Sequence, residues 1–445
     1  MSSRRYRVLL LAEAANPEWA SVPLIGWSLS QALAKVACTH LVTHIRNRDA
    51  LLRAGLEEER DFTAIDNEAV AKPLWKLSDV LRGGEGRGWT TVMAFSALAY
   101  YSFERELWRR LGRRIENGEF DLVHRITPVS PANLSLIASR LAKHEIPFIL
   151  GPINGGVPWP KHFADRRIAE REWLSSLRSL YKLLPGYRSS LKHSAAIIVG
   201  SQRVYDALPA WVESKRIYIP ENAVDMSRFS CPRERKASIP LRVAFVGRLV
   251  PLKGTDMLLE ATSKFQKQGR LKLTIIGDGP ERSRLEAMVD RLGLRQSTRF
   301  DGWVPHVAMM HKLRECDLLA LPSIREFGGG VVLEAMALGV APLVADYGGP
   351  SELVDDDTGI RIPFHDKASL VGGMERAFAA TIDSPARLDV LGAAGRQKVL
   401  QHFTWDAKAN QILAVYESVL GRTGNFQSLG LPHLPKQNAA TVRHF

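Results

Sequence analysis

The chain of 445 residues is too long for one ordinary hydrophobic core and suits two domains. Hydrophobic residues make up 45% and charged residues 24%, the proportions of a soluble globular protein, and no apolar run approaches the roughly 18 residues of a membrane span. The net charge of +13 is uneven: residues 1–240 hold 35 Lys and Arg against 25 Asp and Glu, the remainder 25 against 22.

The first half opens with a strand over 6–12, the loop EAANPEWASVPLIGW, a helix over 28–36 and a strand over 39–43. Its first apolar stretch is short and runs into Glu13, so the N-terminus is expected to be neither a signal peptide nor an anchor. A strand, loop and helix in that order set the loop at the carboxyl edge of a parallel sheet, where open α/β folds bind ligands. GGEGRG at 83–88 reads as a flexible break before a long helix over 89–115, with arginines gathered near its end. A second basic amphipathic stretch, 171–192, sets Trp173, Leu177, Leu180 and Leu184 on one face. Both suit an anionic membrane surface, and core packing explains the first equally well.

Between these stretches lie DLVHRITP and PFILGPINGGVPWP, two strands that end at one sheet edge. His124 and Thr127 on the first, with Asn154 and Gly155 in the tight turn after the second, are candidates to line a cleft; a lone histidine at a strand end is more often a hydrogen-bonded structural residue. A strand over 195–199, a helix from 201 and a strand over 216–219 complete the first domain, placed at 1–230, and the polar SCPRERKASIP is the linker. Cys38, Cys231 and Cys316 are odd in number and widely spaced, which fits no disulfide framework or metal site and suits a reducing cytoplasm.

From 240 to 400 strands and helices alternate cleanly, which predicts a parallel sheet with helices on both faces. The first turn, GRLVPLKG, puts Arg248 and Lys253 around a strand-to-helix bend, where two cations can converge on one diphosphate. The turns IGDGPE and DGWVP close two further strands at the same edge, and neither is the GxGxxG of nicotinamide or flavin enzymes, so no cofactor is expected. A strand over 318–321 then leads to Glu326, the glycines 328–330, a helix from about 331 bearing Glu334, and a strand over 341–345. Glycines let a backbone approach a phosphate or sugar, and a helix N-terminus offers amides to it. The two carboxylates would accept bonds from neutral hydroxyls, so the ligand reads as a sugar attached to a nucleotide. A strand near 359–363, a helix over 367–380, a last helix over 405–421 and a loose tail over 422–445 follow.

Glu326 and Glu334, eight residues apart and followed by Ala-Met-Ala and Gly339, resemble the motif of the retaining glycosyltransferases of family 4. That resemblance implies the GT-B fold, two Rossmann-like doubly wound parallel-sheet domains facing each other across a cleft, with the last helix crossing back to the first. It implies that Arg248 and Lys253 neutralise the departing diphosphate, that Glu326 orients the transferred sugar and that Glu334 holds the ribose. Gly247, Gly279, Val304, Gly328, Gly329, Gly330 and Val331 would complete the donor pocket, with the backbone near Val304 at the base. On the acceptor side Asn16, His124, Thr127, Asn154 and Gly155 are implied. This chain departs from the family there, with Ala14-Ala15-Asn16-Pro17 in place of paired glycines, His124 two residues before the position that family members fill with histidine, and Phe327-Gly328-Gly329-Gly330 in place of Gly-Phe-Gly.

The implied function is a metal-independent transferase that moves a sugar from a nucleotide-diphosphate sugar to a glycan or lipid-linked acceptor, with retention, in bacterial surface glycan or exopolysaccharide synthesis. The expected setting is cytoplasmic, with peripheral contact to the inner face of the membrane and no nucleic-acid partner. A GT-B hydrolase or phosphorylase and a catalytically silent nucleotide-sugar-binding subunit remain open as alternatives.

Overall fold

The computed structural model describes all residues except 1–4, 83–88, 134, 170–180, 183–184, 230, 422–425, 427 and 432–445. The break at 83–88, most of the basic stretch 171–192 and most of the tail lie outside the described residues. The chain divides into two compact units: Met1–Gly156 with Arg171–Glu221 and Trp405–His433, and Val157–Glu170 with Asn222–Thr404 and Leu434–Phe445. Residues 157–170 therefore group with the second unit, and the helix Trp405–Leu420 with the first.

In the first unit β1 (Arg7–Ala12), β2 (Cys38–His44), β3 (Phe62–Ile65), β4 (Leu122–Thr127), β5 (Phe148–Ile153), β6 (Ala196–Val199) and β7 (Arg216–Tyr218) form one sheet. Its order is β3-β2-β1-β4-β5-β6-β7, and every pair is parallel. Val8 through Ala12 are wholly buried, as expected of strands covered by helices on both faces. On one face the helix Val22–Val36 packs Leu29 and Leu33 with Ile412 and Tyr416 of Trp405–Leu420.

The second unit holds β8 (Leu241–Val246), β9 (Leu271–Ile276), β10 (Thr298–Gly302), β11 (Leu318–Leu321), β12 (Ala341–Ala345) and β13 (Ile360–Ile362), in the order β10-β9-β8-β11-β12-β13, again all parallel. In each sheet the chain winds outward from one strand and then returns to its other side, at β1 and β4 in the first and at β8 and β11 in the second. Such a reversal opens a crevice beyond the carboxyl ends of the two central strands. These are the two doubly wound parallel sheets expected of the fold class.

Several elements differ from the sequence-based expectation. Val22–Val36 begins six residues earlier than read, because Pro23 sits in the first turn, where its fixed φ suits a helix and its missing N–H costs nothing. The four-residue β3 and the whole helix Ala386–His402 were not expected at all. The helix Gly330–Ala337 starts one residue early, which moves Glu334 from the first turn to its fifth position.

Candidate active site

The crevice of the second sheet is bounded by the loops that leave β8 and β11. After β8, Gly247 takes φ +155°, a 3₁₀ turn covers Pro251–Lys253, and Gly254 at φ +70° caps the helix Thr255–Lys267. After β11, Ile324 N donates to Leu252 O at 3.0 Å and ties the second loop to the first. A Cβ on Gly254 would stand 2.5 Å from Pro322 O, so the close approach of the two loops requires glycine there. A third loop joins through Gly277, whose missing Cβ would meet Gly247 O at 2.0 Å, and through Leu249 N, which donates to Asp278 O at 2.9 Å.

This framework brings Lys253 and Glu326 together as a partly buried ion pair. The Lys253 stem also lies near Gly247, within 3.8 Å of where a Cβ would be. Arg248 is exposed, and among the described residues its side chain makes no hydrogen bond or ion pair. The structure thus joins one of the two expected cations to one of the two expected carboxylates. Gly279 packs against Leu249, so the IGDGPE turn lies on the Arg248 loop. Gly247, Gly279, Val304, Gly328, Gly330, Val331 and Glu334 are all partly exposed, and Gly329 is buried.

The helix Gly330–Ala337 has Gly329 at its N-cap and no side-chain cap. Its first amides therefore lack the partner that Ser or Asp would supply, and they carry the positive end of the helix dipole. Gly349 N donates to Glu326 O at 3.1 Å, and a Cβ on Gly349 would lie 1.9 Å from Phe327 O, so the glycine-rich bend is backed by a second glycine pair. At Gly330, by contrast, the nearest atom to an added Cβ is Asn222 Oδ1 at 3.7 Å. The bend is tight behind and open in front.

Two residues here escaped the sequence reading. His306 Nε2 lies 2.9 Å from Glu334 Oε1, and this bond raises the imidazole pKa above its usual value. Arg325, buried beside Glu326, donates from Nε to Val157 O at 2.9 Å, and its guanidinium lies 5.0 Å from the Trp159 ring and 5.1 Å from the Phe327 ring. Arg325 precedes a motif glutamate and His306 follows the DGWVP turn, which were the only signals available.

The acceptor-side candidates sit in the first unit. His124 is fully buried, with Nδ1 2.7 Å from the Tyr416 hydroxyl and Nε2 2.6 Å from Gly151 O, and burial pushes its pKa down to about 4. Thr127 Oγ1 both accepts from Ala14 N and donates to Ala14 O, at 3.0 and 3.1 Å. Both side chains hold strands and the first loop together. Asn16 and Asn154 are buried too: Asn16 Oδ1 accepts from Glu18 N at 2.9 Å, Asn154 Nδ2 donates to Glu221 Oε1 at 2.7 Å, and Asn154 Oδ1 accepts from Gly155 N at 2.7 Å. The half-buried carboxyl nearest the end of β1 is instead Glu13, raised to about 7 by desolvation.

Residues 232–397 match the family model described as Glycosyl transferases group 1. The chain is 30% identical over 231 residues to the 2-deoxystreptamine glucosyltransferase of Streptomyces kanamyceticus, covering 51% of this chain and 58% of that one. It is 28% identical over 254 residues to the D-inositol 3-phosphate glycosyltransferase of Jonesia denitrificans, covering 52% and 59%. It thus spans less than two thirds of these relatives. Among solved structures it is similar to sucrose-phosphate synthase from Thermosynechococcus elongatus, with a TM-score of 0.60, 18% identity and coverage of 94% and 100%. It is also similar to Anabaena HepE in complex with UDP, with a TM-score of 0.58, 16% identity and coverage of 93% and 100%. These structures share the fold of this chain.

Proposed function

From the match of residues 232–397 to the family model of the glycosyl transferases group 1, we propose that the protein transfers a sugar from a nucleotide-diphosphate sugar to a hydroxyl acceptor. The observation that carries this reading is the meeting of Lys253 with Glu326 at the crevice between β8 and β11, beside an uncapped helix N-terminus that bears Glu334. A cation, a carboxylate and free amides converging there suit a diphosphate joined to a sugar.

In this reading the bond from the anomeric carbon to the diphosphate oxygen breaks, and its electron pair stays on the diphosphate. Lys253, Arg248 and the amides at Gly330 and Val331 stabilise that charge in place of a metal. Glu326 orients the sugar and does not attack it. The acceptor oxygen bonds to the anomeric carbon on the face the diphosphate leaves, its proton passes to the departing phosphate oxygen, and configuration is retained. Glu334 holds the ribose, and backbone near Val304 holds the base.

The loop of Asn16 and the turn of Asn154 and Gly155 shape the acceptor side of the first unit through backbone. The acceptor is a glycan or lipid-linked glycan of bacterial surface or exopolysaccharide assembly. The basic first half rests against the inner face of the membrane; among the described residues no helix is long and apolar enough to cross one.

Calorimetry and turnover test the reading together. Release of nucleoside diphosphate from a nucleotide sugar only in the presence of acceptor supports transfer. Acceptor-independent release points to a hydrolase, and binding without turnover to a silent subunit. Donor affinity unchanged in both Lys253→Ala and Glu334→Ala would remove the site assignment.

A further inference from the structure

His306 opens the helix His306–Arg314 directly after Pro305, and its contact with Glu334 joins that helix to Gly330–Ala337. The Phe229 ring stands edge-on to the imidazole at 5.8 Å. The other charge acting on it is Arg228, itself within 3.6 Å of Asp225. Among the described residues the Glu334 carboxylate has this one polar contact, through Oε1, so Oε2 is left for a ligand. A carboxylate fixed by one oxygen points the other in a defined direction.

We propose that His306 is a positioning residue for the donor, which in its protonated form anchors Glu334 by one oxygen, cancels its charge, and lets the second oxygen take a ribose hydroxyl without repelling the diphosphate. The proposal rests on the reading of Glu334 as the ribose ligand. The geometry serves both ends of the donor, because an uncompensated carboxylate suits neutral hydroxyls and opposes a nearby diphosphate. Hydrogen bonding to Glu334 raises the imidazole pKa, so the cationic form persists to higher pH than in a free histidine. As pH rises through that raised value, Nε2 can keep its hydrogen in the neutral tautomer, but the His306 and Glu334 pair passes from zero net charge to a single negative one. The diphosphate diester of a nucleotide sugar stays anionic over the same range, so donor affinity falls as pH rises.

The test is calorimetric titration of the full chain with UDP-glucose, GDP-glucose and ADP-glucose at pH 5.5, 7.0 and 8.5. The expected result is affinity weaker by roughly three- to tenfold at pH 8.5 than at pH 5.5, the size of one partly screened charge. His306→Gln keeps an N–H without the charge and should bind independently of pH, near the weaker wild-type level. The uncharged parent nucleoside should show a smaller pH effect than its nucleotide sugar, which a merely structural role for His306 would not produce. A wild-type pH slope retained in His306→Gln overturns the inference alone, provided Glu334→Ala still lowers affinity. Full affinity in Glu334→Ala overturns the ribose reading and His306 with it, as does failure of all three nucleotide sugars to bind. Thermal melting of each variant confirms that the partly exposed His306 can be replaced without loss of fold.

Discussion

Lys253 and Glu326, 73 residues apart in the chain, are ion-paired where the loops leaving β8 and β11 meet. A diphosphate that engages Lys253 must share it with Glu326, so the two residues should respond oppositely to substitution. Lys253→Ala is expected to weaken binding of a nucleoside diphosphate by about 1–3 kcal/mol, the size of a lost charged hydrogen bond. Glu326→Gln releases the ammonium and is expected to leave that binding unchanged or tighten it by up to about 1 kcal/mol, while sugar transfer falls. Calorimetry with the nucleoside diphosphate and a turnover assay with the nucleotide sugar separate the two effects. Equal losses of diphosphate affinity in both variants would contradict this relationship.

Gly330 and Gly277 should separate ligand space from folding space. Gly277 has φ +135°, and its added Cβ would meet Gly247 O at 2.0 Å, so Gly277→Ala must shift two backbones and is expected to cost about 3 kcal/mol or more. Gly330 begins a helix, and an added Cβ would make only ordinary contact, with Asn222 Oδ1 at 3.7 Å, so Gly330→Ala is expected to hold or raise stability by up to about 1 kcal/mol. Its methyl group would nevertheless stand before the first helical amides and weaken nucleotide binding. Thermal melting and calorimetry on both proteins check the pair; a Gly330→Ala variant with full affinity would move the ligand away from this helix.

Much of the second unit was legible because buried parallel strands are short, uniformly apolar and separated by glycine turns, as LRVAFVG and LKLTIIG are. Lys253 and Glu326 could be found for the same reason, since each lies in the loop beyond such a strand, and Glu334 follows on the next helix. What was missed depended on distant partners. His306 meets Glu334 across 28 residues and Arg325 meets Val157 across 168, and no local period encodes either contact. The four residues of β3, FTAI, are too few to show alternation, and Pro23 looked like loop although it starts a helix. His124 stayed open for a different reason: a histidine at a strand end is more often a hydrogen-bonded structural residue than a site residue, and its bond is to Tyr416 on a helix 292 residues away.

That buried histidine gives a pH prediction for stability. Gly151 O can only accept, so Nε2 donates to it and Nδ1 accepts from the Tyr416 hydroxyl, which fixes the neutral form. The folded pKa is pushed down to about 4 from the usual 6.5, so the unfolded chain binds the proton first as pH falls. The contribution of His124 is fully present above pH 6.5 and is lost as pH falls toward 4, a change of about 3 kcal/mol at 1.36 kcal/mol per unit. Chemical denaturation between pH 4 and 7.5 should show this slope in the wild type. His124→Gln should be less stable at neutral pH and flatter over the same window, with nucleotide affinity unchanged.

Arg325 supplies the last prediction, on how the Glu326 carboxylate is held. Its guanidinium lies over the rings of both Trp159 and Phe327, at 5.0 and 5.1 Å, and its Nε bond to Val157 draws on residues that belong to the second unit. Phe327 is the residue after Glu326, so loosening the stack frees the carboxylate from both sides of the chain. Trp159→Ala removes one face and should cost about 1–2 kcal/mol of stability, the range of a desolvated cation–π contact with its packing. The larger effect should fall on turnover, with kcat reduced about tenfold or more by misplacement of the sugar-orienting group, while donor affinity held by Lys253 and Glu334 changes less. Arg325→Lys keeps the charge but lacks both the planar group that stacks and the Nε donor, so it should resemble Trp159→Ala rather than the wild type. If Arg325→Lys instead turns over normally, charge alone suffices at this position and the contact with the two rings does not set the geometry of Glu326.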